Sequence, residues 1–183
     1  YILSATKIID TYKGEKPLLY HLKNCFAAEK KYGSRDRKQI SGLCYAYFRL
    51  GFALKDQSTE ERILAGVFLC EHADNELLKA LRPAWNERIH TNVRDKMSML
   101  QINEANVFPF INELGKDVEQ NTFVHSFFTQ PFLYLRVRPS KMELVTTKLS
   151  AAGIVFSIQG ENCLQLTNSV AIDKVLNINK EVV

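Results

Sequence analysis

In the first two thirds of this chain apolar residues recur at intervals of three and four, and at residues 132–139 the period changes to alternation, so no single-class fold accommodates the whole sequence. Residues 34–54 show the first pattern best. At 100° per residue Ile40, Leu43, Cys44, Tyr47, Leu50, Gly51 and Leu54 fall within an arc of about 120°, the width of a buried stripe. The second pattern is clearest in FLYLRVRP, where Leu133, Leu135 and Val137 share one face and Tyr134, Arg136 and Arg138 the other. The length, 183 residues, suits one full domain and a smaller second one.

The expected fold is therefore α+β in two domains. A helix is expected over residues 2–12, a second over 17–32 beginning at Pro17, and a third from Ser34 as its N-cap. Ser58 and Glu61 form a capping-box pattern before ERILAGVFLCEHA, which is apolar almost all round and reads as the central helix of a bundle. Helical pattern continues over 75–82, 85–100 and 109–114. Residues 1–120 are thus read as all-α, 121–130 as a linker, overlapping the candidate linker segment 118–129, and 131–183 as an α+β subdomain. In the subdomain Ser140 is expected to cap a helix ended by Gly153. Strands at 154–158 and 163–167 follow, then a helical stretch at 170–176 and a strand starting at Val182. The order β-α-β-β-α-β is that of a ferredoxin-like split βαβ subdomain.

Charge is distributed unevenly. Residues 1–57 carry eleven Lys/Arg against five Asp/Glu, residues 58–125 seven against eleven, and residues 126–183 six against four. A basic first third points to a polyanion-facing surface. On the helical wheel Arg35, Lys38, Gly42, Tyr45 and Arg49 lie within about 80° of one another, opposite the apolar stripe, an arrangement suited to the RNA backbone. Ion pairs of Arg35 and Arg37 with the intervening Asp36, fixing the interhelical turn, are the structural alternative, and partial burial is the alternative to base stacking for Tyr45.

Templates for catalysis are missing from the sequence. It has no P-loop, G-x-G-x-x-G, G-x-S-x-G or H-E-x-x-H, and Cys25, Cys44, Cys70 and Cys163 have no C-x-x-C spacing. Cys70-Glu71-His72 is the nearest approach to a metal or Cys/His pair, and helical packing explains it more simply. No apolar run approaches the roughly 20 residues of a membrane span. A cytoplasmic protein with buried thiols, binding neither metal nor membrane, is expected.

The segment Gly33-Ser34-Arg35-Asp36-Arg37-Lys38-Gln39-Ile40, with Leu43-Cys44-Tyr45 and Arg49, resembles the signature helix of the NusB-like domain in the Fmu/Sun family of RNA cytosine-5 methyltransferases. Residues 132–141, FLYLRVRPSK, resemble the strand and turn that open the small α+β subdomain of the same family, with Ser140 where glycine is usual; Ala151-Ala152-Gly153-Ile154 and Asn179-Lys180-Glu181-Val182-Val183 also fit. The resemblance spans essentially the whole chain. It implies a fragment of a parent enzyme that transfers methyl from S-adenosylmethionine to C5 of a ribosomal RNA cytosine, with the methyltransferase domain still to follow. The family's catalytic cysteines lie in Pro-Cys and Thr-Cys pairs, and neither pair occurs in this sequence. The fragment is thus expected to have no catalytic residue and no cofactor of its own, with ribosomal RNA and the methyltransferase domain as partners. Arg35, Arg37, Lys38, Arg49 and Tyr45, with Arg136, Arg138 and Lys141 of the subdomain, are the expected RNA contacts; Arg136 and Arg138 facing the methyltransferase domain is the alternative. A NusB-type antitermination factor and a protein-interaction bundle are the rival readings.

Overall fold

In a computed structural model, which describes residues 1–167 and 170–183, the chain divides into two compact units, residues Tyr1–Thr129 and Gln130–Val183. The first is helical: α1 (Ile2–Thr11), α2 (Leu18–Ala28), α3 (Ser34–Arg49), α4 (Thr59–Cys70), α5 (Glu76–Leu81), α6 (Pro83–Asn86), α7 (Val93–Met99), α8 (Glu104–Val107) and α9 (Gln120–Ser126). Every residue of α4 from Ile63 to Leu69 is buried, so this helix has two partners. Ile63, Leu64, Val67 and Phe68 pack with α1, α2 and the Ile40/Leu43/Cys44 stripe of α3. Ala65 and Leu69 pack into a second core with Leu50, Met97, Val107, Val124 and Phe128.

The buried stripe of α3 matches the helical wheel, with Ile40, Leu43, Cys44 and Leu50 all buried. Several local expectations need correction. The N-cap of α3 is Gly33, whose N–H donates to the Asp36 carboxylate at 2.9 Å, and Ser34 is the first helical residue. Only half of the expected capping box exists on α4: the Ser58 hydroxyl accepts from the Glu61 N–H, but the Glu61 side chain pairs with Arg82 instead. The expected helix at 85–100 is broken between α6 and α7, and α2 ends four residues before its expected limit.

The largest correction concerns the linker. Most of 121–130 is α9, with Val124 and Phe128 fully buried, and Phe123 and Phe127 packing edge-on against Phe108. The boundary therefore falls at Thr129, because Phe108 and the second core draw a polar-looking segment in.

In the second unit β1 (Leu133–Arg136), α10 (Met142–Ala151), β2 (Phe156–Ile158) and β3 (Cys163–Leu166) form an antiparallel sheet of order β1-β3-β2, with α10 on one face. Leu135, Val137, Leu164 and Leu166 meet Val145 and Leu149 of the helix. Val183 exchanges both backbone hydrogen bonds with Arg136 and so adds a short antiparallel segment beside β1. Gly153 (φ +66°) ends α10 with a Schellman motif, Ile154 N–H donating to Leu149 C=O and Gly153 N–H to Ser150 C=O. Ser140 is not the cap. It sits at φ +61° one residue before the N-cap Lys141, a left-handed position that a glycine would adopt without steric cost. The expected second helix of this unit is a single 3-10 turn, Ile172–Lys174, with Ile172 and Leu176 buried.

Candidate nucleic-acid interface

Helix α3 presents the basic face. Asp36 accepts from Gly33 N–H and from the Tyr1 hydroxyl at 2.7 Å, and these bonds, that from Tyr1 first, hold its carboxyl below the usual range. Asp36 forms no ion pair with Arg35 or Arg37, so the alternative of ion pairs fixing the interhelical turn gives way to a helix cap and a bond to Tyr1. Arg35, Lys38 and Tyr45 are exposed, Tyr45 by 41%, and together they run along about 15 Å of helix axis. Among the described residues Arg35 and Lys38 have no carboxylate within 4 Å, and no ring packs against Tyr45.

Two of the expected contacts have other roles. Arg37 lies outside this arc on the wheel; its Nε donates to the Tyr32 carbonyl at 2.9 Å and its guanidinium rests over the Phe26 ring, which fixes the turn between α2 and α3. Arg49 is half-buried, and its Nη1 donates to the Phe127 carbonyl at 3.2 Å, tying α3 to the end of α9. The free face is thus Arg35, Lys38 and Tyr45.

Between Lys38 and Tyr45, Gly42 is exposed, and a Cβ there would meet nothing within 4 Å. Gly42→Ala is expected to raise the stability of the helical unit by about 0.5–1 kcal/mol in denaturant titrations, through helix propensity alone. A loss of stability would mean that the site is packed rather than open.

In the second unit Arg136, Arg138 and Lys141 are exposed and, among the described residues, have no carboxylate partner within 4 Å. Arg136 shares the sheet face away from α10 with Tyr134, Gln165 and Ser157, which pair laterally in the registers Tyr134↔Gln165 and Ser157↔Gln165. Hydrogen bonds link these side chains: Gln165 Nε2 donates to the Tyr134 hydroxyl at 3.0 Å, and Gln165 Oε1 accepts from Ser157 Oγ at 3.1 Å and from Gln159 Nε2 at 2.8 Å. Reading the sequence missed Gln159, Gln165 and Ser157, although their period of two along the hairpin was the available signal.

The cysteines are free thiols, and burial pushes Cys44 up to about 12 and Cys70 up to about 11, so both stay neutral and unreactive near pH 7. Cys70-Glu71-His72 holds no metal cluster; among the described residues no group of three or more candidate ligands converges anywhere. His72 contributes only its carbonyl, to the His90 ring at 2.9 Å. No described helix is long and apolar enough to cross a membrane. No family model, curated protein or solved structure matches the chain.

Proposed function

We propose that the chain is the RNA-binding, substrate-orienting N-terminal part of an S-adenosylmethionine-dependent ribosomal RNA cytosine-5 methyltransferase, built as a NusB-like bundle and a ferredoxin-like subdomain. The observation that carries the RNA-binding reading is the face of α3 where Arg35, Lys38 and Tyr45 stand together with no ion-pair partner among the described residues. The sheet order β1-β3-β2, with Val183 beside β1, supports the subdomain assignment. A methyltransferase acting on one base of a folded RNA needs that RNA held in register, and phosphate contacts supply register without sequence information. Methyl transfer itself belongs, in this proposal, to a further domain. The thiols present do not fit the nucleophile's role, because none stands in a Pro-Cys or Thr-Cys pair and burial keeps Cys44 and Cys70 protonated. Free thiols accord with a cytoplasmic, reducing setting.

The test is fluorescence anisotropy with a labelled ribosomal RNA hairpin at several salt concentrations. Arg35→Gln combined with Lys38→Gln is expected to weaken binding about tenfold and to make the log–log salt slope shallower by about 1.5–2, the share of two phosphate contacts. Unchanged affinity and slope would remove α3 as the interface. A NusB-type antitermination factor accounts for the helical unit but leaves residues 130–183 without a role.

A further inference from the structure

The sheet face away from α10 has features that a merely solvated surface does not require. Tyr134 is 55% exposed, yet its ring is held in one orientation by the hydrogen bond from Gln165. Gln165 is in turn fixed by Ser157 and Gln159, whose side chains also bond each other at 3.2 Å. One aromatic ring and three polar side chains, two of them on β2 and β3 and Gln159 just past β2, are thus linked before any ligand arrives, which lowers the entropy lost on binding. The network leaves hydrogen-bonding capacity pointing outward. The Tyr134 hydroxyl proton, the second Gln165 amide hydrogen and Gln159 Oε1 have no partner among the described residues.

Cations gather at one end of this face. Arg136 stands one step along β1 from Tyr134 on the same side, and Arg138 and Lys141 follow at the turn. Glu181 is buried and directs its carboxylate to Lys148 of α10 at 2.6 Å, and Glu161, exposed in the β2–β3 turn, forms no ion pair with these cations within 4 Å among the described residues. A fixed ring flanked by amides and uncompensated cations matches an unstacked base with its adjacent phosphates: the ring takes the base face, the amides take its edge, and the guanidinium groups take the backbone.

We propose that this face binds a nucleobase of single-stranded RNA, with Tyr134 as the stacking residue, Gln165 and Gln159 as contacts to the base edge, and Arg136 and Arg138 on the flanking phosphates. The proposal rests on the RNA-binding reading and adds to it a site able to distinguish unpaired from paired RNA, which the cations of α3 alone do not provide.

The experiment titrates labelled single-stranded RNA octamers, one for each base, and a duplex of matched length against the 183-residue protein. Tyr134→Ala is expected to weaken single-strand binding about tenfold, Tyr134→Phe to stay within about threefold of the wild type, and neither to alter duplex affinity. Amide chemical shifts of β1 and β3 should move on adding the octamer and stay in place with the duplex. If Tyr134→Ala binds single strands like the wild type, or if the shifts map away from the sheet, the platform is overturned. The α3 double variant, titrated in parallel, separates the two levels: impaired there but unaltered by Tyr134→Ala, RNA binding stands and the platform falls. No binding of any RNA by the wild type overturns both. Because Tyr134→Phe keeps the ring and loses only the hydroxyl, an equal loss in Phe and Ala would also reject stacking.

Discussion

Replacing Gly66 by alanine is expected to destabilise the helical unit by at least about 3 kcal/mol, a larger effect than that of any exposed substitution proposed above. A Cβ at this position would lie 2.2 Å from the Ala46 carbonyl oxygen and 2.6 Å from its carbon. Both atoms belong to the backbone of α3, so no rotamer change relieves the contact, and the two helices must separate. Overpacking of a tight core costs about 1–3 kcal/mol when side chains can yield, and more when backbone must move. The roughly 1 kcal/mol gained in helix propensity offsets only part of this. Chemical denaturation followed by Trp85, the single tryptophan, reports on this unit alone, since its ring stacks on Phe68 at 5.5 Å. A midpoint equal to that of the wild type would show that α3 and α4 do not cross as closely as the structure has them.

Lys96 supports the second large prediction. Its side chain is fully buried, with the ammonium 2.6 Å from the Glu71 carbonyl and 5.3 Å from the centre of the Phe68 ring. Glu71 is the C-cap of α4, so the cation meets the negative end of that helix, which makes a buried lysine tolerable. Lys96→Ala is expected to cost about 3 kcal/mol, through a cavity and a lost charge-assisted hydrogen bond, and Lys96→Met about 1–2 kcal/mol because it restores the volume. Burial lowers the Lys96 pKa in the folded state. The unfolded chain therefore binds more protons between the folded pKa and the ordinary value near 10.4, and stability from this group rises with pH across that window. Denaturation of wild type and Lys96→Met at a series of pH values should show the difference widening in favour of lysine as pH approaches 10. A difference that stays flat or narrows would contradict the burial penalty.

What could be read from the sequence was local. The α3 stripe, the all-round burial of α4 and the faces of β1 follow from spacing within one element, where period alone decides which side is wet. The tie of Arg49 to the Phe127 carbonyl is not legible in the sequence, because that acceptor is 78 residues away and no wheel shows a long-range acceptor. Asp36 between two arginines reads as an ion-pair partner, yet the N3 position of a helix offers it a backbone N–H, and it takes that local bond together with one from the Tyr1 hydroxyl, 35 residues away. α9 was hidden for a third reason. Its polar composition describes its solvent side, while Val124 and Phe128 acquire meaning only against Val107 and Leu69. The Tyr134–Gln165 network needs strand register, which alternation suggests but does not fix.

The placement of α9 also bears on how the chain matures. The first core draws on residues between Ala5 and Ile89, whereas the second needs Leu50 and Ala53 from one end of its span and Val124 and Phe128 from the other. At a synthesis rate of about 5–20 residues per second, the stretch from Ile102 to Phe128 takes on the order of seconds to emerge. During that interval Leu69, Met97 and Val107 lack their cover, on a nascent polypeptide whose N-terminal half is already able to collapse. A pause once Phe128 has emerged leaves the second core complete, while a pause before that prolongs a stage at which this unit is open to chaperones or to self-association.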